Sequence, residues 1–257
     1  MKRLVFAAAL SFAVSAFADT VQSANIFGVM KIDGTSTANL AVCVPWVAAG
    51  TGGDIKVADI VMASNRETGD VVYYYDATAK NFKAWELQDG AWTAVSSVSS
   101  SSSGVTIGET AASQTAARGG ALIVHRENSA SLAKPIYLYG QYAGAAATTA
   151  VAQGTASAPV ISLIAPPSTA AAGYDMNAEG HAIVSTGTSI GANDYIMLSG
   201  SSVRYQYKEG AGWGFYGGDE WNSATSQWTR SFTAGLVIPA GRGALYVSKG
   251  GNPTFTW

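Results

Sequence analysis

Apolar and polar positions alternate in short runs along most of the chain, the period at which side chains fall on the two faces of a strand. Leu40 to Trp46 is a β-rich run stopped by Pro45, and Ile55 to Met62 follows it. Val71 to Tyr75, Phe82 to Leu87 and Ala91 to Val95 then form a meander, with a polar turn from Asp76 to Asn81. Asp89-Gly90 separates the last two runs, and this pair suits a tight hairpin because both turn positions require positive φ. Val21 to Ile32 reads as an approaching strand, and Ala121 to Val124 and Ile136 to Tyr139 as closing ones. Farther on, His181 to Ser185, Val203 to Tyr207, Trp213 to Tyr216 and Gln227 to Phe232 carry the same pattern. Outside the N-terminal leader, only Ala111 to Ala117 suggests a short helix.

The pattern occurs twice. Leu40-Ala-Val-Cys-Val-Pro45 returns as Ile161-Ser-Leu-Ile-Ala-Pro166, Asp59-Ile-Val-Met62 as Asp194-Tyr-Ile-Met197, and Gly120-Ala-Leu-Ile-Val124 as Gly243-Ala-Leu-Tyr-Val247. Val71 to Tyr75, Trp92-Thr93 and Pro135 to Tyr139 match Val203 to Tyr207, Trp228-Thr229 and Pro253 to Trp257 in the same order. The expected fold is all-β: two tandem, internally duplicated antiparallel β-sandwich or barrel-like units behind a cleaved signal peptide. The units are 19–142 and 159–257, joined by an Ala/Thr/Gly linker at 143–158. Ser96 to Ser103 holds seven serines in eight residues, too polar to bury a face, and reads as an exposed loop.

The leader itself is residues 1–18. Met1-Lys2-Arg3 is a positive n-region, Leu4 to Phe17 an uncharged apolar core, and Ala16-Phe17-Ala18 a small-x-small cleavage signature. An apolar run of this length falls short of the roughly 20 residues a spanning helix needs. No later segment qualifies, so the expectation is export to the periplasm, the cell surface or the extracellular space with no transmembrane segment in the mature chain.

The formal net charge of −2 becomes −4 without Lys2 and Arg3, and no basic cluster exists, which excludes nucleic acid as the main partner. Charged residues are 12% of the chain, about half the usual share. A surface so poor in charge suits a protein that packs against itself or against other surface components. The single cysteine, Cys43, permits no intrachain disulfide. Its apolar neighbours predict a buried thiol, in a fold held together by its core alone.

Chemistry-bearing motifs are sparse. Gly187-Thr-Ser-Ile-Gly191 has the spacing of a nucleophile elbow, yet no helix pattern follows it and both histidines, His125 and His181, precede it. Those histidines lack metal-ligand spacing, and Asp175 with Glu179, Asp194, and Asp219 with Glu220 follow no calcium-loop pattern. No catalytic residue, metal or cofactor is expected.

Aromatic residues give the stronger signal. Tyr73 with Tyr75 and Tyr205 with Tyr207 each share a strand face, so they either fill an inter-sheet core or form a platform that stacks on sugar rings. Core packing is the preferred reading. The candidate ligand-binding rings are Tyr216 and Trp221, which Gly217-Gly218-Asp219 would place on a loop, together with Trp85.

The leader, Ser23-Ala-Asn-Ile-Phe-Gly-Val-Met-Lys31, Val44-Pro-Trp46, Asp54-Ile-Lys-Val-Ala-Asp-Ile-Val61 and Tyr137-Leu-Tyr-Gly-Gln-Tyr142 resemble blocks of a group of uncharacterised bacterial secreted proteins. The resemblance covers mainly the first unit and implies export but no activity. The second unit departs from it, with Pro166-Pro167 where the first has Pro45-Trp46. The expected function is that of a non-enzymatic exported structural or adhesive protein, self-associating or bound to other surface components. The alternative is a carbohydrate-binding module that presents Trp and Tyr to glycans, and an exported hydrolase ranks third.

Overall fold

The alternating runs fold as strands, because a period of two leaves one apolar row per strand that only a sheet can bury. A computed structural model of the chain describes residues 27–34, 38–76, 79, 81–95, 105–106, 113–144, 146–167, 172–178 and 190–257. The leader, the serine tract, the His181–Ser185 run and most of Gly187–Gly191 lie outside these residues. In the first half the elements are β1 (Phe27–Ile32), β2 (Asn39–Cys43), β3 (Ile55–Lys56), α1 (Val57–Ile60), β4 (Val71–Asp76), β5 (Asn81–Gln88), β6 (Ala91–Ala94), β7 (Val105–Thr106), β8 (Thr115–Ala116), β9 (Ala121–His125) and β10 (Ile136–Gln141). The second half has β11 (Thr148–Ala150), β12 (Val160–Ile164), β13 (Tyr174–Asp175), β14 (Tyr195–Leu198), β15 (Gln206–Lys208), β16 (Gly212–Asn222), β17 (Gln227–Ala234), β18 (Val237–Ile238), β19 (Ala244–Ser248) and β20 (Thr254–Thr256).

The protein is all-β in architecture, built from open, mainly antiparallel sheets, with β7 pairing in parallel with β5, and none closes into a barrel among the described residues. In the first half β1 pairs with β10, β3 with β8, and β2-β9-β4-β5-β6 forms the main sheet. In the second, β11 pairs with β20, β13 with β18, β12-β19-β14 forms one sheet and β15-β16-β17 another. The bridge Ile196↔Tyr205 connects β14 to the residue before β15. The single strand β4, which has β9 on one side and β5 on the other, is thus matched by two shorter strands, β14 beside β19 and β15 beside β16.

Several local expectations change. Ile55 to Met62, expected as a strand, is a two-residue strand followed by the one-turn helix α1, so Asp59 is not the counterpart of Asp194, which leads into β14. In the expected helix Ala111 to Ala117, Thr115–Ala116 is a strand paired with β3. Segment 143–158, expected as a linker, contributes β11 to the second half, with Val151 buried and Gly154 N–H donating to Ser248 Oγ at 2.9 Å. Asp89 and Gly90 take the expected positive φ values of 49° and 78°.

Burial follows the pleat. On β10, Ile136 and Leu138 face the core while Tyr137 and Tyr139 face outward. β1 crosses the Trp46 ring at Gly28, where an added Cβ would lie 2.5 Å from the indole. That indole is buried and donates to the Leu138 carbonyl at 3.1 Å.

Each half has its own core, and the two interlock. Leu163 and Ala165 of the second half belong to the first core, while Ile164 between them belongs to the second. Backbone hydrogen bonds cross the junction both ways: Cys43 N–H to the Gly241 carbonyl, Gly243 N–H to the Ala41 carbonyl, and Ala165 N–H to the Gly119 carbonyl, each 2.9 Å. This explains why β2 is buried on both faces. An edge strand flanked by a second sheet loses its solvent face.

Cys43 lies at this junction with no solvent exposure, and desolvation raises its thiol pKa from 9.0 to about 12. Native thiol labelling is expected to be slow and to become fast in denaturant. Tyr246 is raised as well, by burial first and then by its bond to Asp194. Both groups keep their protons in the folded protein at a pH where the unfolded chain releases them. Stability should therefore hold up to about pH 9 and fall as pH rises further toward 12. Urea titrations from pH 7 to 11 check this, and Cys43→Ala should flatten part of the alkaline slope.

Candidate functional site

The three aromatic candidates do not gather into one site. Trp85 sits on β5 opposite Val72 with 1% of its surface exposed, so it is a core side chain and cannot stack on a ligand. Its indole packs in the first core. Trp221 is on β16, not on a loop, in register with Trp228 of β17. The Gly217-Gly218 pair that suggested a loop is instead a β-bulge within this hairpin, where the register shifts between Tyr216 and Asp219. A bulge inserts unpaired residues and twists the strand without ending it.

Tyr216 is exposed at 41%, with its ring edge-on to Phe232 at 5.1 Å. It lines a cleft of about 430 Å³ with Ser202, Val203, Arg204, Phe215 and Arg230. Tyr205 meets Phe215 edge-to-face at 5.9 Å beneath this cleft. Arg204 and Lys249 both lie over the Tyr195 ring, at 5.1 and 5.5 Å. Among its described lining residues the cleft thus offers one exposed tyrosine ring, Tyr216, and two cations, Arg204 and Arg230.

Five other rings of the second half are structural. Trp213, Tyr246 and Phe255 are buried, and Tyr246 meets Trp213 and Phe255 edge-to-face at 6.4 and 5.6 Å. Phe255 stacks on Trp257 at 5.3 Å, and Trp257 meets Tyr174 at 5.3 Å. These contacts make a column of rings through the core. Edge-to-face pairs set by the ring quadrupole hold such columns in place.

Asp194, one of the carboxylates singled out as an oxygen donor, is 1% exposed and ties loops together. Its Oδ2 accepts from Gly191 N–H at 2.8 Å, Gly251 N–H at 3.0 Å and the Tyr246 hydroxyl at 2.6 Å, and its Oδ1 accepts from Lys249 N–H at 2.6 Å. A buried carboxylate that accepts four hydrogen bonds serves here as a structural tie between loops. Gly191, the last residue of the G-x-S-x-G run, is held by this carboxylate. His125 bonds Asn39 and Glu127 through its two ring nitrogens, and among the described residues no group of His, Cys, Asp or Glu has the arrangement of a metal site.

Arg66, Asp70 and Arg126, which no sequence motif marks, line a second cavity in the first half. One signal was available: an aspartate precedes both β4 and β14, as Gly69-Asp70 and Asn193-Asp194. Among the described residues no helix is long and apolar enough to cross a membrane. No protein-family model, curated protein or solved structure matches the chain.

Proposed function

We propose that this chain is a non-enzymatic structural or adhesive protein of the cell surface or extracellular space, exported through residues 1–18, which associates with its own copies through β17. One observation carries the reading. β17 is the last strand of its sheet, and no described strand pairs with its outer edge. Its Thr229, Arg230, Ser231, Thr233 and Ala234 are exposed. Its sequence, Gln-Trp-Thr-Arg-Ser-Phe-Thr-Ala, has a single charge and no proline, so two of the devices that keep edge strands from pairing, clustered charge and proline, are missing from it. Strand addition uses such an edge, with main-chain bonds supplying affinity. The matching strand pairings of the halves support descent from one duplicated unit, with the serine tract and the β16–β17 hairpin as later differences.

A second reading, glycan binding, is favoured by the exposed Tyr216 and the cleft it lines. Sedimentation of the chain lacking residues 1–18, from about 1 to 100 µM, should show its average mass rising with concentration. The Ser231→Lys/Thr233→Lys double variant should remain a monomer with an unchanged melting temperature. A monomer at every concentration would end the first reading. Titration of the same samples with glycans separates the second, since Tyr216→Ala would then lose binding while staying folded.

A further inference from the structure

Strand pairing brings charged loops together at one end of the first sheet. Arg66, Glu67 and Asp70 precede β4, Arg126 follows β9, and Val71 pairs with His125, so Asp70 and Arg126 flank the same end of the β4–β9 pair. Lys134 and Pro135 enter β10 beside them. Together they line a cavity of about 220 Å³, with Tyr137 on its wall.

The second half supplies an internal control for this site. Asp70 Oδ2 accepts from Glu67 N–H at 3.3 Å and Asp70 N–H returns a bond to the Glu67 carbonyl at 3.0 Å. Asp194 makes the same turn with Gly191, at 2.8 and 3.0 Å. Two residues on, Val72 pairs with Val124 and Ile196 pairs with Tyr246, so Val124 stands where Tyr246 donates its hydroxyl to Asp194. Valine has no donor to give. Asp70 is 2% exposed, and its Oδ1 has no hydrogen-bond partner among the described residues.

Two arginines that line the same cavity carry donors without partners among the described residues. Arg66 Nη2 donates to the Pro135 carbonyl at 3.2 Å, and Arg126 Nη1 donates to the Ser131 carbonyl. Arg66 Nε and Nη1 and Arg126 Nη2 remain without partners among the described residues, although Arg126 is only 5% exposed. Lys134 pairs with Glu67 at the rim. Arg66, Arg126 and Lys134 against Glu67 and Asp70 leave one net positive charge lining the cavity. Burial, then the neighbouring Arg126, lowers the Arg66 pKa to about 10, and burial raises that of Asp70. Unpaired guanidinium groups out of water are unfavourable unless an anion completes them.

We propose that this cavity binds a small oxyanion that also carries a hydroxyl donor, its oxygens held by Arg66 and Arg126 and its hydroxyl bonded to Asp70 Oδ1. Hydrogen phosphate and the carboxylate of an acidic sugar share that chemistry. Sulfate, fully ionised at neutral pH, has no proton to offer Asp70 and meets its charge instead. Carboxylate and phosphate oxygens match the geometry of guanidinium donors, which makes arginine the expected residue here.

The test uses the ¹⁵N-labelled chain, following the arginine Nε–H signals during titration with phosphate, glucuronate and sulfate up to about 50 mM at matched ionic strength. The Arg66 and Arg126 signals should move and saturate with phosphate or glucuronate, and sulfate should bind about tenfold more weakly. Saturation by phosphate alone assigns the site to a free anion, and by glucuronate to an acidic sugar. By calorimetry, Arg66→Gln should weaken binding by about tenfold or more, and Asp70→Asn should strengthen sulfate binding. Signals that do not move with any of the three anions, or sulfate binding equal to phosphate, would overturn the proposal, and both readings come from the unmutated protein.

Discussion

Trp85→Ala and Trp213→Ala should each lower the unfolding free energy by about 3–5 kcal/mol, the range for removing a large buried aromatic side chain. Both indoles are 1% exposed, one in each core. Against a total stability of about 5–15 kcal/mol, either change leaves the domain close to unfolding. Trp213→Phe should be much milder, because the Trp213 Nε1 has no hydrogen-bond partner among the described residues and phenylalanine keeps most of the contact area. Trp92 is only half-buried, with its Nε1 donating to the Val61 carbonyl at 3.0 Å, so its alanine variant should lose less. Tyr216→Ala, at an exposed ring, should change stability by about 0.5 kcal/mol or less. Urea unfolding of the set ranks these values, and a Trp85 variant as stable as the parent would contradict the core assignment.

Asp194→Ala should cost about 3–5 kcal/mol, because it leaves four donors, three of them backbone amides, without their shared acceptor in a buried place. The carboxylate joins the turn before β14 to the loop after β19, so its loss should also raise hydrogen exchange at Gly191, Lys249 and Gly251. Asp194→Asn keeps one acceptor oxygen and should lose less. Asp70→Ala is the internal comparison. With a single side-chain bond at 3.3 Å, it should lose only about 1 kcal/mol. Equal losses at the two aspartates would refute the view that the second-half residue is a structural knot and the first-half residue is under-satisfied.

One of the sequence matches stands one residue out from the match that strand pairing gives when the turns at Asp70 and Asp194 are aligned. Matching Gly120–Val124 with Gly243–Val247 puts Val124 against Val247, whereas strand pairing puts it against Tyr246. A slip of one residue exchanges the faces of a strand, and short apolar runs do not reveal it without a partner strand. Trp85 and Trp221 were misread for related reasons. Whether an aromatic on a strand points to the core depends on what covers that face, and a Gly-Gly pair marks a bulge only once the opposing strand is known.

Local pattern alone determined that this chain is built of short antiparallel strands, that the Asp89-Gly90 hairpin turns where it does, and that Cys43 is buried. These follow from side-chain periodicity, turn chemistry and apolar neighbours, all of which act within a few residues. Tertiary structure decided the rest: the interlocking of the halves at β2 and β12, the ring column behind Trp213, and the meeting of Arg66, Asp70 and Arg126. Each depends on contacts between segments distant in sequence. Their partners are chosen by sheet register and by the burial of one half against the other, and no local pattern encodes that choice.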